Sequence, residues 1–251
     1  MIEQAGNHPS VFAWSVCNES ATSTPGGRAF VKAMVEHVKA LDPGRYVSYA
    51  DDGLARVQDA AQNANQHTDF IMMNQYFGSW AGPAEGLAPA LERVRRMFPD
   101  KMVVISEFSL AGLFAPDTAQ ADRMRALIME SQLAEFARHD FVAGAVFWCY
   151  QDYKSHRNLW PGLTSDWVEM GLVDEYRQRL PSYAAWQERT SPARAVVQGG
   201  WPATSSREIR LALRVRRPTG FTAAERMERW WEPRSGGLSP EEAKKKGLPS
   251  P

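Results

Sequence analysis

Residues 7–20 read Asn7-His-Pro-Ser-Val-Phe-Ala-Trp-Ser-Val-Cys-Asn-Glu-Ser20. Val11–Val16 is a short, continuous apolar run of the kind that forms a buried strand. It ends directly in Asn18-Glu19. Met102-Val-Val-Ile-Ser-Glu107-Phe-Ser109 repeats the layout, an apolar strand with a glutamate at its end. In a parallel α/β barrel the C-terminal strand ends form the active face. An acid there is both buried and aimed at a ligand.

Between and beyond these runs, strands alternate with helix-period segments. After a turn at Pro25-Gly26-Gly27, the residues Phe30, Val31, Met34, Val35, Val38 and Leu41 recur at helical spacing until Asp42-Pro43-Gly44. Tyr46–Ala50 reads as a strand, Leu54–Ala61 as a weak helix, and Phe70–Gln75 as the next strand. Leu87–Phe98 reads as a helix, Met102–Ile105 as a strand, and Thr118 to His139 as the clearest helix. Ala143–Trp148 is the fifth strand; a long loop and a last helix holding Tyr183 and Trp186 follow. This β-α-β-α order predicts a parallel sheet covered by helices.

The bulk composition narrows the partners. The chain has 251 residues, with 29 Lys+Arg against 29 Asp+Glu, so its formal charge is zero. That balance points to neither a nucleic-acid nor a membrane partner, and no apolar run approaches the ~20 residues of a membrane helix. MIEQAGNHPS shows no signal-peptide pattern, an expectation of a cytoplasmic protein unless the N-terminus is truncated. Cys17 and Cys149 lie in apolar runs and read as buried thiols, not a disulfide. No Cys/His spacing of metal type occurs, and no cofactor is called for. Nine Trp suit sugar faces, but they also fill cores.

Paired carboxylates at matched strand ends suit glycoside hydrolysis. One protonates the leaving oxygen and the other attacks the anomeric carbon, at roughly 5–5.5 Å separation in a retaining enzyme. Each raises the cost of ionising the other.

The run Asn7-His-Pro-Ser through Phe12-Ala-Trp-Ser-Val-Cys-Asn-Glu19 resembles the acid/base strand of glycoside hydrolase family 2, the β-galactosidase and β-glucuronidase family. Ile105-Ser-Glu-Phe108 resembles its nucleophile strand. Asp69-Phe-Ile-Met-Met-Asn-Gln-Tyr-Phe-Gly78 is similar to the sixth strand, and Gly144-Ala-Val-Phe-Trp-Cys-Tyr-Gln-Asp-Tyr153 to the eighth. Gly171-Leu-Val-Asp-Glu-Tyr176 and Pro181-Ser-Tyr183 resemble the connection into the last helix. Cys17 departs from the pattern, where glycine is usual.

The resemblance implies Glu19 as general acid/base and Glu107 as nucleophile. It implies Asn18 on the sugar 2-hydroxyl, Tyr76 orienting Glu107 and Trp148 stacking on the sugar, with Asn74 and Asp152 as further substrate contacts. Members acting on glucuronides carry an Asn-x-Lys pair, and none occurs in this sequence. The expectation is therefore a β-galactosidase-like retaining enzyme, with β-glucuronide or β-mannoside as alternative substrates.

The implied fold is a partial (β/α)8 TIM barrel, about strands four to eight, over residues 1–191. Residues 192–217, with the alternating Arg207–Val215, read as the start of a β-sandwich-like unit. Residues 218–251, including Lys244-Lys-Lys246, read as a mostly disordered tail. On this reading the chain is a truncated piece of a larger enzyme. Strands one to three are absent, and so are the early-strand acid and histidine that bind metal in some members. Five strands do not close an eight-stranded barrel, so the open edges imply self-association. The alternative to an enzyme is an inactive fragment, or a half-barrel needing the missing strands; a carbohydrate-binding module would need no paired acids. Asn18-Glu-Ser20 matches a glycosylation sequon, but at a strand end it is set aside. His8 reads as structural, and His156 as either structural or a ligand contact.

Overall fold

The computed structural model describes residues 1–110, 118–155 and 167–191. The expected β-type stretch, the tail and His156 lie outside the described residues. The described residues fall into two compact units, one from 1–75, 88–107 and 141–146, the other from 76–87, 108–140 and 147–191.

The first unit is built on a five-stranded sheet in the order β1 (Ala13–Asn18), β2 (Tyr46–Asp51), β3 (Ile71–Asn74), β4 (Val103–Phe108), β5 (Val142–Phe147). Pairing from β1 to β4 is parallel, which bears out the α/β reading. The first crossover is α2 (Pro25–Leu41), preceded in the chain by the short α1 (Ile2–Ala5). Val31, Val35 and Val38 face inward and cluster with Trp14, Val47, Tyr49 and Ala64. Pro25-Gly26-Gly27, expected as a turn, is instead the first turn of α2. Thr24 caps the helix, its side chain accepting from Gly27 N at 3.1 Å. Proline at the first helical position forfeits only an amide that would be unpaired anyway. A side chain at Gly27 would run into the Ala21 carbonyl, so the entry also needs glycine.

The weak helix expected over Leu54–Ala61 does not form. Short 3-10 turns replace it at Leu54–Arg56, Ala60–Gln62 and Ala64–His67. Asp59 and Asn63 side chains accept from Ala61 N and Asn65 N, so local side-chain bonds outcompete a continuous helix. α3 (Leu87–Met97) leads into β4.

Burial is concentrated in the central strands. Five of six β2 residues are buried, whereas β1 buries only Trp14 and β5 only Phe147. The fully buried run expected at Val11–Val16 is thus corrected. β1 and β5 end the strand order, and among the described residues no strand pairs with their outer sides.

In the second unit, α4 (Thr118–Phe136) and α5 (Pro181–Thr190) carry most of the helix. Phe108 packs edge-on against Phe136 and Phe147, and at a tilt against Trp186. The stretch expected as a long loop contains an antiparallel ribbon, β6 (Tyr153–Lys154) with β7 (Trp167–Val168). Arg125, 1% exposed, joins these parts. It donates to Asp122 Oδ1 (3.0 Å) and to the carbonyls of Leu110, Gly171 and Glu169. Asp122 in turn accepts from Ser182 N at 2.8 Å, which ties down the start of α5. Cys17 and Cys149 form no disulfide, as expected, and both are only partly buried, which corrects the expectation of buried thiols.

Candidate active site

Parallel strands carry their C-terminal ends to one side of a sheet. Asn18, Asp51, Asn74 and Glu107 all stand at such ends in the first unit, on β1, β2, β3 and β4. Glu19 follows β1 directly. The register shifts between Ser15 and Asn18, and again between Met73 and Asn74. Irregularities of this kind re-aim side chains. They fall in the residues that carry the site.

Glu19 leaves the strand at φ 46°, in the left-handed region, while its amide still donates to Ala50 O at 3.0 Å. The backbone therefore stays in ladder register as the chain turns. Glu19 is exposed, as is Asn18, so the buried acid expected from sequence is corrected. β1 lies at the end of the strand order, where less of the protein covers it.

Asn74 is the connecting residue. It is 3% exposed, and its Nδ2 donates to Glu19 Oε1 at 2.9 Å and to Asn18 Oδ1 at 3.0 Å. Ser106 Oγ donates to Asn74 Oδ1 at 2.6 Å. Asn74 also faces Glu107 across the β3–β4 ladder, and Gln75 N donates to Glu107 O at 3.0 Å. One amide thus touches the first glutamate and stands in register with the second.

At the end of β2, the strand beside β1, lies a buried polar network that sequence reading missed. Asp51 Oδ2 accepts from Tyr49 OH (2.8 Å), Asn63 Nδ2 (2.8 Å) and Asn65 Nδ2 (3.0 Å), while Oδ1 accepts from Gly53 N (2.7 Å). Burial pushes the Tyr49 phenol well up, and the Asp51 charge adds to it. Burial likewise pushes the Cys17 thiol up, with Ser20 opposing. Ser106 was missed as well, although it directly precedes Glu107.

Four of the seven expected site residues, Asn18, Glu19, Asn74 and Glu107, belong to this unit. Tyr76, Trp148 and Asp152 belong to the second. Tyr76 is buried and stacks on Trp80 with centroids 4.0 Å apart. Trp148, 38% exposed, meets Tyr153 edge-on. Asp152 is buried, and its Oδ1 accepts from Gly171 N at 2.6 Å. Burial pushes that carboxyl up, against the Gly171 bond and the Arg125 charge. His8 offers its backbone carbonyl to Arg45 Nη2 at 2.9 Å. Among the described residues, no group of three His, Cys, Asp or Glu is placed to hold a metal ion.

Glu19 just beyond β1 and Glu107 near the end of β4 stand on a parallel sheet of α/β type. The family described as "Glycosyl hydrolases family 2, TIM barrel domain" matches residues 1–192, and the chain belongs to it. The β-glucuronidase of Pongo abelii is 27% identical over 199 residues, covering 74% of this chain and 29% of that protein. The human β-glucuronidase is 26% identical over the same shares. The chain thus spans under a third of these relatives' length. A Ruminococcus gnavus β-glucuronidase structure superimposes with TM-score 0.65 at 21% identity, covering 75% of this chain and 34% of that one. A β-galacturonidase from Eisenbergiella tayi does so with 0.63 at 20% identity, covering 74% and 34%. A putative β-galactosidase from Bacteroides fragilis gives 0.63 at 20%, covering 76% and 29%. At these identities the structures share the fold.

Proposed function

We propose that this chain carries the paired carboxylates of a retaining β-glycosidase, with Glu107 as nucleophile and Glu19 as general acid/base. The observation that carries the reading is Asn74, which bonds Glu19 and stands in register with Glu107 at one end of a parallel sheet. In the first step a Glu107 carboxylate oxygen attacks the anomeric carbon. Glu19 gives its proton to the glycosidic oxygen, and the aglycone leaves. In the second, Glu19 takes a proton from water, the water oxygen attacks the same carbon, and the bond to Glu107 breaks. Two inversions retain the configuration. Asn18 donates to the 2-hydroxyl, an interaction that strengthens in the transition state. Tyr76, Trp148 and Asp152 are assigned to orienting Glu107, sugar stacking and substrate contact by family resemblance.

The sugar is a β-galactoside on the first reading, because the Asn-x-Lys pair of glucuronide-binding members does not occur in the sequence. The second reading is a β-glucuronide, favoured by the curated relatives, which are β-glucuronidases. The test is turnover of aryl β-galactoside, β-glucuronide, β-mannoside and β-glucoside, with Glu107→Gln as control. Hydrolysis of one substrate, lost in the control, supports the enzyme and names its sugar. Folded protein that turns over none of them overturns the reading for this chain and favours a half-barrel that needs further strands.

A further inference from the structure

Resting on the glycosidase reading, we infer that Asn74 is a positioning residue which decides the oxygen of Glu19 that carries the catalytic proton and the direction in which the Asn18 amide points. It is not itself a sugar ligand, although the sequence suggests that role.

Ionised Glu19 only accepts hydrogen bonds, and with its proton on Oε2 its Oε1 still accepts. The Asn74 atom 2.9 Å from Glu19 Oε1 is therefore its amide nitrogen. Asn74 Oδ1 then faces Ser106, whose hydroxyl donates to it at 2.6 Å. The second amide proton goes to Asn18 at 3.0 Å, so that atom of Asn18 is its carbonyl oxygen. Each assignment forces the next. Both protons of the Asn74 amide are used inside the protein, and the residue is 3% exposed. It has no donor left for a sugar.

Two consequences follow for the reaction. Oε1 of Glu19 is occupied as an acceptor, so the proton passed to the glycosidic oxygen sits on Oε2. Asn18, its oxygen engaged, presents its Nδ2 protons away from Asn74 as donors for a hydroxyl. Ser106 reinforces the order, because its hydroxyl donates to the Asn74 oxygen and so adds to the hold of Glu19 against a flip of the amide. A serine immediately before the nucleophile thereby acts on the acid/base on another strand.

The test has two parts on the full chain. The first needs no activity and is side-chain amide exchange by 15N NMR. The Asn74 NH2 pair is expected to exchange with water at least about tenfold more slowly than the Asn18 pair, since buried bonded groups open rarely. In Ser106→Ala that protection falls. Equal exchange of the two pairs in the wild type overturns the assignment.

The second part compares kcat/KM on a dinitrophenyl glycoside, whose leaving group needs no proton, with a phenyl glycoside, whose leaving group does. General acid assistance is worth ~10²–10⁴-fold. Asn74→Ala is expected to widen the dinitrophenyl-to-phenyl ratio by about tenfold or more, and Ser106→Ala to widen it less. A uniform fall on both substrates, or no fall, overturns the positioning role while leaving the glycosidase reading intact. If the wild type turns over neither substrate, the glycosidase reading fails, and the exchange measurement alone decides the hydrogen-bond order.

Discussion

The amide of Glu19 donates to Ala50 O at 3.0 Å although Glu19 stands at φ 46°, so the residue bearing the acid is both held in the ladder and turned out of it. A non-glycine residue in the left-handed region costs roughly 1–2 kcal/mol. The protein bears that cost at the position proposed for the acid/base.

Replacing Glu19 should separate the side chain from the backbone. Glu19→Ala keeps the strained φ, whereas Glu19→Gly relieves it. Glu19→Gly is expected to be the more stable of the two by about 1 kcal/mol in urea unfolding. Both are expected to lose turnover of unactivated substrates. Equal stability, or a more stable alanine variant, would show that φ is not what constrains the site.

Arg125 should matter to the second unit more than any surface charge. Burial pushes its guanidinium down from its ordinary range, with Asp122 and Asp152 opposing. Arg125→Met leaves Asp122 buried without its partner, and such losses cost about 3–5 kcal/mol. Arg125→Lys should recover only a minor part, because an ammonium lacks the planar fork that reaches several carbonyls. Tryptophan fluorescence during urea unfolding measures both; a lysine variant as stable as the wild type contradicts the account.

Asp42 links the end of α2 to β1 and should set part of the acid response. The Trp14 indole N–H holds its carboxyl below the usual carboxylate range, and Arg45 adds to this. Because the folded value is lowered, the stabilisation is present above the ordinary value of 3.8 and is lost as pH falls through the folded value. Asp42→Asn is therefore expected to be less stable than the wild type at neutral pH. Its stability should fall less steeply in acid, below about pH 4. Thermal melts across that range check it; parallel curves for the two proteins would remove Asp42 from the acid response.

Much of the first unit could be read without coordinates. Val31, Val35 and Val38 mark one helix face, Val103–Ile105 a buried strand, and Asn18-Glu19 and Glu107 the polar ends of two strands. These are local patterns, and local periodicity survives in one dimension. The errors were local as well. Pro25–Gly27 looked like a turn because proline and glycine punctuate both turns and helix starts, and only the Thr24 cap separates the two.

The sequence by itself determined the alternation of strands and helices, the placement of two glutamates at strand ends, and the family to which the chain belongs. Tertiary structure alone decided which residues serve those glutamates. Asn74 reaches Glu19 across 55 positions of chain, and Ser106 reaches Asn74 across 32. It also decided that Asp51 gathers Tyr49, Asn63 and Asn65, that Arg125 ties α4 to Glu169 and Gly171, and that Tyr153–Lys154 pairs with Trp167–Val168. The physical reason is that a hydrogen bond depends on distances of about 3 Å and on donor direction. For residues far apart in the chain, neither exists until the fold brings the strand ends together.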